Sequence, residues 1–247
     1  MDNQSPCSVG IMQPYFFPYW GHFSLIAYTD RWLIFDDCQY MPKSWMNRNR
    51  ILHPKEGWQY ITVSLANSSR NIVTSDAILF DLESSKLKII NQLGHYKKSA
   101  PYFTEAIALV EKAFELVDSS NSLVSLCHGA LKVTCDYLNI SLQAQRTSEL
   151  DLHYPKGLSG GKWAPFICDK IRATDYFNPE SGAHLFDIED FQNLNIGFYT
   201  LAPNKFKYKQ GNYVFTPNLS ILDTAMWLSP EEIKSAIEHN VLIVRKS

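Results

Sequence analysis

Ser8-Val-Gly-Ile-Met-Gln-Pro-Tyr-Phe-Phe-Pro-Tyr-Trp-Gly-His-Phe-Ser-Leu-Ile-Ala-Tyr28, continued by Trp32-Leu-Ile-Phe-Asp-Asp37, decides the fold. An apolar run over 8–13 stops at Gln13-Pro14, where proline removes the N–H that a continuing strand needs. An aromatic, proline-stiffened loop follows. Gly21-His22 then opens an amphipathic segment, read as a helix over 21–29, with Leu25, Ile26 and Tyr28 turned partly inward. A second apolar run, 31–36, ends on paired carboxylates. Strand, long loop, helix, strand and acid is the order of a parallel α/β unit that holds a ligand at its strand ends. The predicted fold class is therefore α/β, with a mainly parallel, Rossmann-like sheet.

Working outward, Trp45-Met-Asn-Arg-Asn-Arg50 alternates Asn47 and Asn49 with Arg48 and Arg50. Strand geometry puts the two arginines on one face and the two asparagines on the other. Paired guanidiniums facing Asp36 and Asp37 suit a phosphate or a carboxylate, with Lys43 beside them. The segment 57–65 alternates as a strand, and 78–82 reads as an edge strand. From 84 to 138 the period becomes helical. Leu87, Ile90, Leu93 and Tyr96 form one face, Ile107, Val110 and Phe114 another, and Ser119–Ser122 caps a third helix ending near Tyr137. This stretch is read as a helical insertion in one α/β domain covering 1–247.

A return strand over 139–145 restores the α/β rhythm. Gly157–Lys162 is read as a flexible turn before a helix over Trp163–Arg172. A short strand, 175–177, leads into Asn178-Pro-Glu-Ser181, a turn suited to presenting N–H groups to an anion. After a strand over 196–201, Lys205-Phe-Lys-Tyr-Lys-Gln210 interleaves cations with aromatics. Phe215–Asp223 then enters a helix, and Ser229-Pro-Glu-Glu232 starts the last one.

Bulk properties narrow the function. With 23 basic and 25 acidic residues, the net charge of −2 gives no global field for duplex nucleic acid or an anionic membrane. No apolar run is long enough to span a bilayer, and the first residues lack a leader pattern. Five scattered cysteines without a CxxC pair fit reduced thiols in a cytoplasm. No metal-ligand spacing such as HxxxH occurs, so no tightly held zinc is expected.

The pieces 12–21, 35–40, 45–51, 208–210 and 215–223 together resemble the WbqC-like family, bacterial proteins associated with O-antigen and other surface-polysaccharide clusters. The resemblance spans nearly the whole chain. It implies work on a nucleotide-linked amino sugar, such as acyl or aminoacyl transfer to its amine. Phe17–Ile26 is also similar to the strand–loop–helix of HIGH-motif nucleotidylyltransferases, of which Gly21-His22 survives while Tyr19 replaces the first histidine. On these readings, His22, Asp36 and Asp37 are candidate catalytic groups, and Mg²⁺ accompanying a nucleotide is the cofactor that such acids suit. Gln13, Phe17, Gly21, Tyr40, Lys43, Trp45, Asn47, Arg48, Asn49, Arg50, Ser181, Tyr208, Gln210, Ser220 and Asp223 are candidate ligand contacts. Arg48→Ala is expected to abolish nucleotide-sugar binding. A non-catalytic sugar-nucleotide-binding or scaffold protein and an ATP-dependent ligase or nucleotidylyltransferase are the alternatives.

Overall fold

Hydrophobic runs bounded by proline, glycine and capping residues place the elements of the computed structural model, which describes residues 6–158 and 160–246. Strand β1 (Ser8–Met12), helix α1 (Trp20–Ala27) and β2 (Arg31–Ile34) form the first parallel unit. A hairpin of β3 (Arg48–Leu52) and β4 (Trp58–Thr62) follows, then α2 (Leu82–Leu93), α3 (Phe103–Glu115) and α4 (Leu123–Leu138). Next come β5 (Ala144–Arg146), α5 (Trp163–Lys170), β6 (Asp175–Pro179), α6 (Ile188–Gln192) and β7 (Gly197–Pro203). The last elements are α7 (Ile221–Trp227), α8 (Pro230–His239) and β8 (Val241–Lys246).

Six strands make one sheet in the order β5-β2-β1-β6-β7-β8, and the hairpin stands apart as its own pair. Every neighbour in the large sheet is parallel except β8, which runs antiparallel to β7. The mainly parallel, Rossmann-like α/β class expected from the sequence is therefore the fold.

Strand alternation divides the apolar residues between two faces. Val9, Ile11, Leu33 and Tyr176 pack with Ala164, Ile167 and Cys168 of α5 and Phe191 of α6. The Tyr176 and Phe191 rings stack with centroids 5.2 Å apart. On the other face, Trp32 and Ile34 meet Phe23, Leu25 and Ile26 of α1, in a core continuous with α2–α4, α7 and α8. Gly10 makes this packing possible, since a Cβ there would lie 2.5 Å from the Trp32 ring. With helices on both faces, the strands read as unbroken apolar runs rather than alternating ones.

Three local expectations change. Residues 78–82 form isolated bridges, Ile78 to Ser122 and Leu79 to Leu65, because Asp81 accepts a bond from the Ser84 N–H and starts α2 at Leu82. The buried face of α2 is Ser85, Ile89 and Leu93, four residues apart, whereas Leu87 is 57% exposed. Helix α5 stops at Lys170, and of the turn before it Ser159 lies outside the described residues. The caps hold: Ser122 accepts from Val124 and Ser125, and Ser229 pairs reciprocally with Glu232. Cys7, Cys38, Cys127, Cys135 and Cys168 are free. Among the described residues no helix is long and apolar enough to cross a membrane. The leader expectation rests partly on residues 1–5, outside the described residues.

Candidate functional site

The sheet changes direction between β1 and β6. From β1 the chain crosses to β2 on one side, and from β6 to β7 on the other. Parallel sheets open a crevice at the carboxyl ends of strands at such a switch point. The crevice here has two lobes that share Met12, Tyr15, Pro179 and Ser181. The first, 340 Å³, is lined further by Tyr19, His22, Trp45, Asn49, Arg50 and Asn218. The second, 410 Å³, is lined by Gln13, Phe35, Trp163, Tyr176, Asn178 and Phe186 among others. Both volumes fall within the usual range of ligand pockets.

The aromatic loop between β1 and α1 forms one wall of the crevice, and its backbone is pinned from outside. Phe16 N donates to the Trp45 carbonyl at 2.9 Å, and Ile221 N to that of Pro18 at 2.9 Å. Asn49 Nδ2 donates to the carbonyls of Phe16 and Phe17, at 2.9 and 2.8 Å. Ser220 Oγ donates to the Phe17 carbonyl as well, at 2.8 Å. Phe17 needs this support, for its φ of 41° lies in the left-handed region that a bulky residue rarely adopts. Its ring is fully buried. Phe17 and Ser220 thus act as scaffold under the loop, while Asn49 both holds the loop and lines the first lobe. Gly21 has a related role: a Cβ there would sit 2.5 Å from the Tyr19 ring, so glycine lets that ring lie over the start of α1.

His22 lines the first lobe but is only 3% exposed. Its ring lies 5.7 Å from that of Tyr15 and edge-on to Trp32 at 5.0 Å. Burial lowers its pKa to about 3, so the imidazole is neutral at neutral pH. Nε2 has no hydrogen-bond partner. A group of this kind orients a ligand hydrogen bond better than it holds a proton.

Arg48 and Arg50 share one face of β3, as the alternation predicts, with Asn49 on the other. The Arg50 guanidinium lies 5.3 Å from the Trp45 ring and 5.2 Å from that of Trp58, and donates to the Asn218 carbonyl at 3.1 Å. Arg48 lies 4.1 Å over Tyr60 and donates to the Lys43 carbonyl. Only Arg50 of the two lines the crevice, where it is the one formally charged side chain of the first lobe among the described residues.

Neither arginine meets the acids; among the described residues no ion pair joins them. Asp36 is 1% exposed and accepts from Thr147 Oγ1 at 3.1 Å, Ser148 N at 3.0 Å and Ser148 Oγ at 2.7 Å. Asp37 accepts from the Tyr154 hydroxyl at 2.6 Å. Burial, then this carboxylate, drives the Tyr154 phenol well above its ordinary value. The acid pair thus ties the end of β2 to the segment after β5, and neither Asp36 nor Asp37, expected to bear Mg²⁺ or act as base, lines either lobe of the crevice. Cys38 has a raised pKa, chiefly through burial, with Asp36 the smallest cause.

The other candidates lie outside the lining. Tyr40 is 1% exposed, Asn47 Nδ2 donates to the Val63 carbonyl, and Lys43 is exposed with φ 61°. Tyr208, Gln210 and Asp223 form a buried network. Asp223 accepts from the Tyr96 hydroxyl at 2.6 Å, the Tyr208 hydroxyl at 2.9 Å and Gln210 Nε2 at 2.7 Å. Tyr96 accepts in turn from Leu52 N of β3 at 2.8 Å, and Gln210 Oε1 from Thr216 N at 2.8 Å. This network ties the hairpin, the turn after α2, the 204–219 loop and α7 together. It positions the site without touching the crevice.

Of the lining residues, sequence reasoning named Gln13, Ser181, Asn49, Arg50, Trp45 and His22, and it flagged the aromatic loop that contains Tyr15 and Tyr19. It missed the aromatic walls Trp163 and Phe186 of the second lobe, which come from segments with no local motif, and Asn218, which sat inside a quoted motif. One wall of that lobe rests on a backbone contact: a Cβ at Gly161 would fall 2.0 Å from the Leu185 carbonyl oxygen. Gly161→Ala is therefore expected to push the 160–162 turn away from Leu185 and Phe186. Urea titration should show a stability loss of about 1–3 kcal/mol, with the lobe opened.

A profile of the WbqC-like protein family matches residues 13–235. The uncharacterized protein Rv1507c of Mycobacterium tuberculosis is 29% identical over 218 residues, covering 87% of this chain and 91% of that protein. No solved structure matches significantly.

Proposed function

The chain belongs to the WbqC-like protein family, and from that premise we propose that it is a transferase acting on a nucleotide-linked amino sugar, passing an acyl or aminoacyl group to the sugar's amine in surface-polysaccharide assembly. The observation that carries the reading is the two-lobed crevice at the switch point. Its first lobe pairs one unopposed guanidinium, Arg50, with amide, hydroxyl and imidazole groups, the donor set for a phosphorylated sugar. Its second lobe, walled by Phe35, Trp163, Tyr176 and Phe186, has the apolar lining that suits an acyl group. The shared rim of Met12, Tyr15, Pro179 and Ser181 is where amine and carbonyl would meet. His22 would orient the amine by accepting its hydrogen bond, since burial disfavours the imidazolium.

Arg50→Ala should weaken binding of nucleotide sugars by about 10–100-fold in calorimetry, the worth of one charge-assisted contact. Arg48→Ala should cost less, because Arg48 is engaged outside the crevice with Tyr60 and Lys43. A panel of nucleotide sugars that binds Arg50→Ala as well as wild type would overturn the assignment.

A second reading, a sugar-nucleotide-binding protein without turnover, is favoured by the absence of any carboxylate among the described lining residues. Release of the donor's leaving group with any sugar and acyl donor decides for the transferase. Tight binding with no release across the panel decides for the binding protein.

A further inference from the structure

The exposed face of the β3–β4 hairpin carries a ladder that the crevice leaves unexplained. Trp45, Arg50, Trp58, Tyr60 and Arg48 follow one another in contact. Arg50 stands 5.3 Å from Trp45 and 5.2 Å from Trp58, Trp58 is 4.9 Å edge-on from Tyr60, and Arg48 lies 4.1 Å over Tyr60. Trp45 is 39% and Trp58 42% exposed, unusual for rings that could have been buried. The Nε atoms of both arginines are buried beneath this face without hydrogen-bond partners. Trp45 and Arg50 also line the first lobe, so the ladder continues the crevice onto the surface.

We infer that this face binds the nucleoside diphosphate half of the ligand, its base stacked on Trp58 and its phosphates on Arg50 and Arg48; the inference rests on the reading of the crevice as a nucleotide-sugar site. The chemistry favours that occupant. Each guanidinium lies over aromatic rings and spends one terminal N–H on a backbone carbonyl, Asn218 for Arg50 and Lys43 for Arg48, which leaves its other terminal N–H groups for phosphate oxygens. An exposed indole offers a face to any nucleobase, purine or pyrimidine. The first lobe, at 340 Å³, is at the small end for ligand pockets and opens onto this face at Trp45 and Arg50. A diphosphate anchored at Arg50 therefore directs the nucleoside outward along the hairpin. The apolar lobe on the far side of Tyr15 is left for the second substrate. The sugar's amine is thereby placed at the shared rim, between the two.

The test compares UDP and ADP with inorganic pyrophosphate by calorimetry. Wild type should bind both nucleoside diphosphates about tenfold or more tighter than pyrophosphate, the worth of one stacked base. Trp58→Ala should bring them to within about twofold of pyrophosphate, and Trp58→Phe should keep most of the preference. Arg50→Ala should weaken all three alike. An unchanged preference in Trp58→Ala, or its loss in Trp163→Ala instead, overturns the placement of the base while leaving the nucleotide-sugar reading intact. If wild type binds no nucleoside diphosphate and no nucleotide sugar, that reading falls and this inference with it.

Discussion

Asp223→Ala is expected to lower the free energy of unfolding by about 3–5 kcal/mol, because it strands three buried donors at once. The carboxylate is fully buried and accepts from Tyr96, Tyr208 and Gln210. Two opposing effects meet there. The hydrogen bonds favour the anion, but burial outweighs them and lifts the Asp223 pKa to about 6. Deletion removes the partners, whereas Asp223→Asn keeps a polar group of the same shape and removes the charge. The asparagine variant should therefore stay within about 1–2 kcal/mol of wild type at neutral pH.

The same group gives a pH signature of fixed sign. Between the unfolded value near 3.8 and the folded value of about 6, the native state holds a proton that the unfolded state has released. Asp223 thus destabilises the fold as pH rises through that window, by on the order of 3 kcal/mol in total. Below the window the penalty is absent, and above it the penalty is constant. Urea titrations of wild type and Asp223→Asn at pH 4 and pH 7 isolate it, since other groups cancel in the difference. The variant should gain on wild type as pH rises. A difference that does not move with pH would show that Asp223 is ionised in the fold with no penalty.

The second large effect belongs to Asn49→Ala. One side chain satisfies the carbonyls of Phe16 and Phe17 and accepts from Arg50 N at 2.8 Å. Its loss leaves the buried Phe16 carbonyl without its side-chain donor and the carbonyl of the left-handed Phe17 with Ser220 alone. A stability loss of about 2–4 kcal/mol follows. Ligand binding should fall further than that loss explains, because Tyr15 and Tyr19 move with the loop. Calorimetry at a temperature where the variant remains folded, checked by circular dichroism, separates the two. Native affinity in a folded Asn49→Ala protein would mean that the loop is held without it.

These two residues mark where sequence reasoning stops. The order of β1, α1 and β2 was legible because each signal is local: an apolar run, a proline stop, a helix start. The register of Arg48 and Arg50 was legible because alternation is a property of any strand. Alternation does not say which face is buried, so Asn49 and Arg50 looked equivalent, although one holds the loop and the other lines the crevice and the exposed ladder. Asp36 and Asp37 looked like ligand groups at a strand end. Their partners Thr147, Ser148 and Tyr154 lie 111 to 117 positions away, beyond any local pattern. Asp223 was misread for the same reason, with Tyr96 distant by 127 positions. Trp163 and Phe186 of the second lobe escaped because they come from separate segments that carry no motif.

The position of the crevice between β1 and β6 has a consequence for how the protein is made. Ser8 meets its β2-side partner Asp30 after 22 residues, but the β6 side, as at Cys7 and Thr174, waits for 167. On a ribosome adding about 5–20 residues per second, the interval between the two is on the order of ten seconds. During it, β1 has one neighbour and an open, apolar edge on the other side, the kind of surface that chaperones and aggregates both recognise. A product truncated before β6 would carry His22 and Arg50 with no opposite wall. It would keep only part of the crevice lining and display that edge permanently, so synthesis cut short yields a sticky chain.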